Sequence, residues 1–257
     1  MNDKMMPVVF VGHGSPMNAI EDNEFSRAWQ EAARELPRPE AILCISAHWE
    51  TRGSMVTAME QPRTIHDFYG FPKQLAEMQY PAPGSTGLAQ RVMKLVQTNA
   101  VVPDLTWGLD HGTWSVLCRM YPEADIPVVQ LSLDRGLEAE GHYALGGQLR
   151  PLRSEGVLIL GSGNMVHNLR MMVWEDTAFD WAAAFDAKLA KWMLDDDHEP
   201  IIHYENQGPE AMLAVNSAEH YKPLLYVLGA KEKGEPVQFF AEKLWGGSLS
   251  MRCVRVG

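Results

Sequence analysis

Histidine is the side chain that both ligates metals and moves protons near neutral pH, and the nine in these 257 residues are unevenly placed. His13 in VVFVGHGSP and His48 in AILCISAHWE each follow an apolar run directly, and His167 in VLILGSGNMVHN follows a third after a short turn. His111 in DHGTW and His220 in SAEHYKPLLYVLGA also sit at an element boundary. One such histidine is most simply a hydrogen-bonded core or surface residue. Three at the same end of separate strands favour a shared metal site. Imidazole without thiolate suits zinc, iron or copper, and two histidines with a carboxylate and open positions form the pattern of non-haem Fe(II) oxygenases.

Neighbours of these histidines offer second roles. Ser46 could orient the His48 ring by a hydrogen bond, and Trp49 could wall the site or belong to the core. Asp110 is a candidate to steer a tautomer of His111, although adjacent residues rarely face each other. The stretch IHDFYGFP, with His66, Phe68, Tyr69 and Phe71, reads equally as a packed aromatic loop or as a substrate wall. His198 and His203 lack such context and read as surface. His142 falls in a helix beside Tyr143 and reads as exposed.

The elements that must position them follow a strand–helix–strand order. Met6 to Val11 and Ala41 to Ser46 are apolar without strict alternation, as in parallel strands buried on both faces. Between them EFSRAWQEAAREL has helical spacing, Asp22 or Asn23 as cap and Pro37 as stop. Further strands are expected at Ser54 to Ala58, Ile126 to Leu131 and Val157 to Leu160, with SLSMRCVRVG closing the sheet. Helices are expected after Ser85, over Leu137 to Arg153 and Phe179 to Leu194, and from Ser217 as cap to Gly229, with a helical turn at Val116 to Tyr121. Glu60 to Gly84 is a long irregular loop, the kind that usually carries function. Neither repeats nor a linker interrupt the chain, so one domain over 1–257 is expected. In open sheets of this class the ligand crevice lies beyond the carboxyl ends of the strands.

Composition narrows the partner. A formal charge of −11 argues against nucleic acid or an anionic membrane surface, and the partner expected is small. The three cysteines, Cys44, Cys118 and Cys253, form no C-x-x-C pair, so neither a disulfide framework nor a thiolate zinc site is suggested. With no apolar stretch of spanning length and no signal-like N-terminus, a soluble cytoplasmic protein is expected.

Read in order, HGSPMN, SAHW, IHDFYGFP, YPAPGS, DHGTW, VVQLS, SGNMVHN and EHYKPLLYVLGA resemble the DOPA 4,5-extradiol dioxygenase family of the class III extradiol superfamily, over nearly the whole chain. The resemblance implies a single-domain α/β fold with a mixed, mostly parallel central sheet flanked by helices. It implies a mononuclear divalent metal and insertion of both atoms of O₂ beside the diol of a small catechol such as L-DOPA. By motif, His13 and His48 correspond to metal ligands and His220 to the third, with Glu219 as its alternative. His167 corresponds to a further ligand or to the acid/base, and His111 to a group touching substrate or oxygen. An all-imidazole set would take zinc at least as well as the Fe(II) that ring cleavage needs. The rival readings are a zinc-dependent hydrolase or lyase on the same histidines, and a non-catalytic binding protein. The assembly expected is a monomer or small homo-oligomer.

Overall fold

The computed structural model describes residues 5–257. Strand β1 (Val8–Gly12) leads through helix α1 (Glu24–Glu35) to β2 (Ala41–Thr51) and β3 (Ser54–Thr57). A long loop holding the single turn α2 (Lys73–Ala76) precedes α3 (Thr86–Leu95), β4 (Val101–Asp104), α4 (His111–Met120), β5 (Val128–Asp134), α5 (Ala139–Leu149) and β6 (Val157–Gly163). The remainder is α6 (Asp180–Leu194), the short α7 (Glu199–Ile202) and α8 (Pro209–Ala214), α9 (Lys222–Gly229), and strands β7 (Val237–Phe240), β8 (Leu244–Trp245), β9 (Leu249–Ser250) and β10 (Cys253–Val256).

Eight strands form one mixed sheet in the order β4-β3-β5-β2-β6-β1-β10-β7. Its centre, β5-β2-β6-β1, is parallel throughout, and β10 and β7 close one side antiparallel. The fold is thus a single-domain α/β fold with a mostly parallel mixed sheet flanked by helices, as expected. The lack of alternation in the strands has its cause in two packed faces. Val8, Phe10, Leu43 and Ile45 join α3, α5, α6 and α9 on one side, while Val9, Val11, Ile42 and Cys44 join α1 and α4 on the other. Trp29 of α1 is fully buried, and Asn23 caps that helix in a reciprocal capping box with Ser26.

Several boundaries differ from expectation, among them β6, which runs on through Gly161 to Gly163 where a turn is expected. β2 runs on to Thr51, so His48 lies within the strand. Its pairing with β6 stops at Ser46, and its register against β5 shifts between Ile45 and Glu50, an irregularity that lets the strand turn its end. β4 has no strand signature because of Pro103, which is tolerated on the sheet edge. α4 starts at His111 rather than Val116: every residue but Arg119 is buried, so no amphipathic stripe marks its start. α9 starts at Lys222, not after Ser217; Pro223 sits in its first turn, where a missing N–H is harmless.

Candidate metal centre

The carboxyl ends of β1, β2 and β6 deliver three of the histidines to one place. His13 follows β1 and is pinned twice through its backbone: its N–H donates to Gly163 O at 3.0 Å, and its carbonyl accepts from Asn18 Nδ2 at 3.0 Å. Its ring Nδ1 lies 2.9 Å from Ser162 Oγ of β6. His48 is held differently. Ser46 Oγ accepts from the His48 backbone N–H at 3.2 Å and donates to Asp110 at 2.7 Å, so Ser46 fixes the strand rather than the ring. Gly112 of α4 leaves the necessary room, since a Cβ there would stand 2.9 Å from His48 Cδ2.

His220 precedes α9 and is clamped against β6. Asn164 N donates to its carbonyl at 2.9 Å, and a Cβ at Gly163 would collide with that same oxygen. Its Nδ1 meets Glu219 Oε1 at 3.0 Å. Candidate donor atoms of His13, His48 and His220 all lie within 4.8 Å of one another, and His13 Nε2 is 3.2 Å from His48 Nε2. His167, bridged to Leu249 of β9, stacks face to face on His220 with ring centres 3.5 Å apart and groups with Glu219 and His220.

His111 completes the cluster from the first position of α4, its ring centre 3.8 Å from that of His48. Asp110 does not touch the ring. It is fully buried, caps α4 through Thr113 N, and accepts from Gln130 Nε2 at 2.7 Å. The carboxylate on His111 is Asp67, 44 residues away in sequence: it accepts the His111 backbone N–H at 2.9 Å and lies 2.9 Å from Nδ1. The same carboxylate is 3.7 Å from His48 Nδ1.

Electrostatics keep His13, His48, His167 and His220 neutral. Burial, followed by repulsion from the other imidazoles, pulls His13 and His220 well below the ordinary histidine value, and burial with the nearby His111 lowers His48. Burial takes His167 down to about 4. Asp67 runs the other way: burial would raise it, but the hydrogen bonds and charge of His111 hold it below its usual value. Unprotonated ring nitrogens crowded together, with carboxylates behind them, form a donor set for a soft or borderline divalent cation.

The aromatic loop divides. Phe68 packs edge-on against His111 and near Trp114, but Tyr69 is 95% exposed, and His66 meets Met78 O at 2.9 Å. Trp49 is buried and stacks on Trp107. His142 is not exposed as expected: α9 covers it completely, and its Nδ1 lies 3.0 Å from Tyr226 Oη. His198 is only slightly exposed, 2.8 Å from Tyr143 Oη. Sequence reasoning missed Asp67 and Ser162. The signal for Asp67 was its place beside His66 in a long loop that joins a carboxylate to aromatics, whereas Ser162 gave none.

The chain is similar to known proteins along nearly its whole length. The family model described as the catalytic LigB subunit of aromatic ring-opening dioxygenase matches residues 6–246. A 4,5-DOPA dioxygenase extradiol of Escherichia coli K12 is 47% identical over 100% of this chain and 97% of its own length. Its counterpart from Beta vulgaris is 40% identical over 96% and 95%. The crystal structure of an uncharacterized protein from Escherichia coli K12 superposes with a TM-score of 0.85 at 44% identity, covering 98% of this chain and 100% of that one.

Proposed function

The chain belongs to the family of the catalytic LigB subunit of aromatic ring-opening dioxygenases, and from that premise we propose that it opens a small catechol, such as L-DOPA, by extradiol insertion of both atoms of O₂. The observation that carries this reading is the convergence of His13, His48 and His220, with His111 and His167 against them. The donor set fits a divalent metal. Neutral imidazole nitrogens 3.2 Å apart, at the buried end of a parallel sheet, have a geometry that one cation between them would stabilise.

In this reading His13, His48 and His220 hold the metal, and Glu219 orients His220 rather than binding itself. When bound, Fe(II) supplies Lewis acidity toward the diol and the redox chemistry that O₂ requires. Zinc fits the same nitrogens but has no redox chemistry, so a zinc-filled protein is expected to be inactive in ring cleavage. His167, neutral at working pH, takes a hydroxyl proton of the catechol on a ring nitrogen and gives it back as the ring opens. His111, its Nδ1 committed to Asp67, keeps Nε2 for substrate or oxygen. Phe68 covers His111 and keeps water from that side.

Free, buried cysteines support a reducing, cytoplasmic setting, and among the described residues no helix is long and apolar enough to cross a membrane. The partners in this reading are the catechol and O₂, with the chain a monomer or small homo-oligomer and 1–257 a single catalytic domain. The test is anaerobic reconstitution with Fe(II), then L-DOPA or simple catechols with O₂. A yellow muconic semialdehyde is expected. No coloured product from any catechol would sink the reading, and turnover without oxygen would favour a hydrolase or lyase.

A further inference from the structure

A histidine ligates a metal through the nitrogen that carries no proton, so the partner of its other nitrogen selects the binding tautomer. His220 and His48 face carboxylates with Nδ1, Glu219 at 3.0 Å and Asp67 at 3.7 Å, and a carboxylate can only accept. His13 has no carboxylate. Its Nδ1 faces the hydroxyl of Ser162 at 2.9 Å, and a serine can donate or accept. Taken alone, that contact leaves the His13 tautomer open.

The next contact closes the choice. Ser162 Oγ lies 2.5 Å from the carbonyl oxygen of Gly112, and two oxygens at that distance need a proton between them. A carbonyl has none to give, so the serine proton is spent on Gly112 O. Ser162 then has only lone pairs for His13, and the imidazole must supply the proton from Nδ1. Ser162 is fully buried and His13 nearly so, so no exchange with water relaxes the constraint. The backbone that carries the ring is fixed as well, because His13 is anchored at both its N–H and its carbonyl.

We propose that Ser162 is a positioning residue that turns the buried chain Gly112 O, Ser162 Oγ, His13 Nδ1 into a one-way donor relay, fixing His13 with its unprotonated Nε2 toward His48 and His220. The relay lets a neutral hydroxyl perform for His13 what the Glu219 carboxylate performs for His220. It also ties the His13 ring to α4, since Gly112 directly follows His111. This inference rests on the reading of His13 as a metal ligand.

Two measurements test it on the full chain. The first uses the metal-free wild-type protein at a pH where the ring is neutral: ¹⁵N NMR of His13 is expected to show a protonated Nδ1 and an unprotonated Nε2. The opposite tautomer, or an even mixture, would overturn the relay without any variant having to fold. The second is competition for Zn(II) alone against a chromophoric chelator, with circular dichroism as the check on folding. Ser162→Ala is expected to mix the His13 tautomers and weaken zinc binding about 10- to 100-fold. Unchanged zinc affinity in Ser162→Ala, with binding lost in His13→Ala, would overturn the relay and leave the metal site standing. Zinc bound by His13→Ala as tightly as by wild type would overturn the site reading itself.

Discussion

His13 and His142 are both buried imidazoles, 2% and 0% exposed, and in both cases burial lowers the affinity for a proton. What differs is the company each keeps. His13 stands at the end of β1 with the rings of His48, His111 and His220 within 6 Å of its own, centre to centre. His142 lies between α5 and α9, where the Tyr226 hydroxyl is its one side-chain hydrogen-bond partner. A buried, deprotonated histidine is therefore no sign of a site by itself. Convergence of several from separate elements is, because only a shared ligand offsets so many desolvated lone pairs at one point.

The strongest way to break the contrast is to delete each ring. His13→Ala is expected to abolish metal binding and ring cleavage while the protein stays folded, because the ring makes its contacts at the rim of the sheet. His142→Ala is expected to keep metal and turnover and to lose roughly 1–3 kcal/mol of stability, since the Tyr226 hydroxyl is left buried and unpaired. Metal analysis and thermal melts of both variants decide it: metal retained by His13→Ala, or lost by His142→Ala, would collapse the distinction.

Within the cluster the effects should then be graded. His167→Ala is expected to keep most of the metal and to lower turnover by about 10²- to 10⁴-fold, the usual worth of a positioned acid/base. Equal loss of metal would make His167 a ligand. Asp67→Asn should cost less, roughly 10- to 100-fold in turnover, because it disturbs a group that orients His111 and lies near His48. Wild-type turnover in Asp67→Asn would show that the His111 tautomer is irrelevant to the chemistry.

The same contrast explains what could be read in the sequence. Strands β1, β2 and β6 were legible because two buried faces make long apolar runs, and the histidines at their ends were legible because the sheet places such ends together. β4 was not, because Pro103 masks an edge strand, and α4 was not, because a helix buried all round has no polar stripe. Orienting partners were the hardest. Asp67 reaches His111 across 44 residues, and Ser162 reaches His13 across 149, through contacts that no local spacing encodes. His142 was misread for the same reason, since what buries it is α9, far along the chain.

The finest test of the contrast is the pH dependence of stability. Burial, reinforced by the charge of Lys222, lowers His142 to about 4 from an ordinary 6.5. Between those values the unfolded chain binds a proton that the fold does not, so stability should fall as the pH drops from about 6.5 toward 4, at up to about 1.4 kcal/mol per pH unit. In the loaded protein metal would keep its ligands His13, His48 and His220 unprotonated, but His142 has no such guard, so its contribution persists whether or not metal is bound. His142→Gln cannot protonate there, and its amide can still meet the Tyr226 hydroxyl. Denaturant melts of zinc-loaded protein should therefore show a shallower slope for His142→Gln than for wild type across that window, with equal metal content. Equal slopes would mean that His142 reaches a proton in the fold, and that the two buried imidazoles differ in solvent access as well as in company.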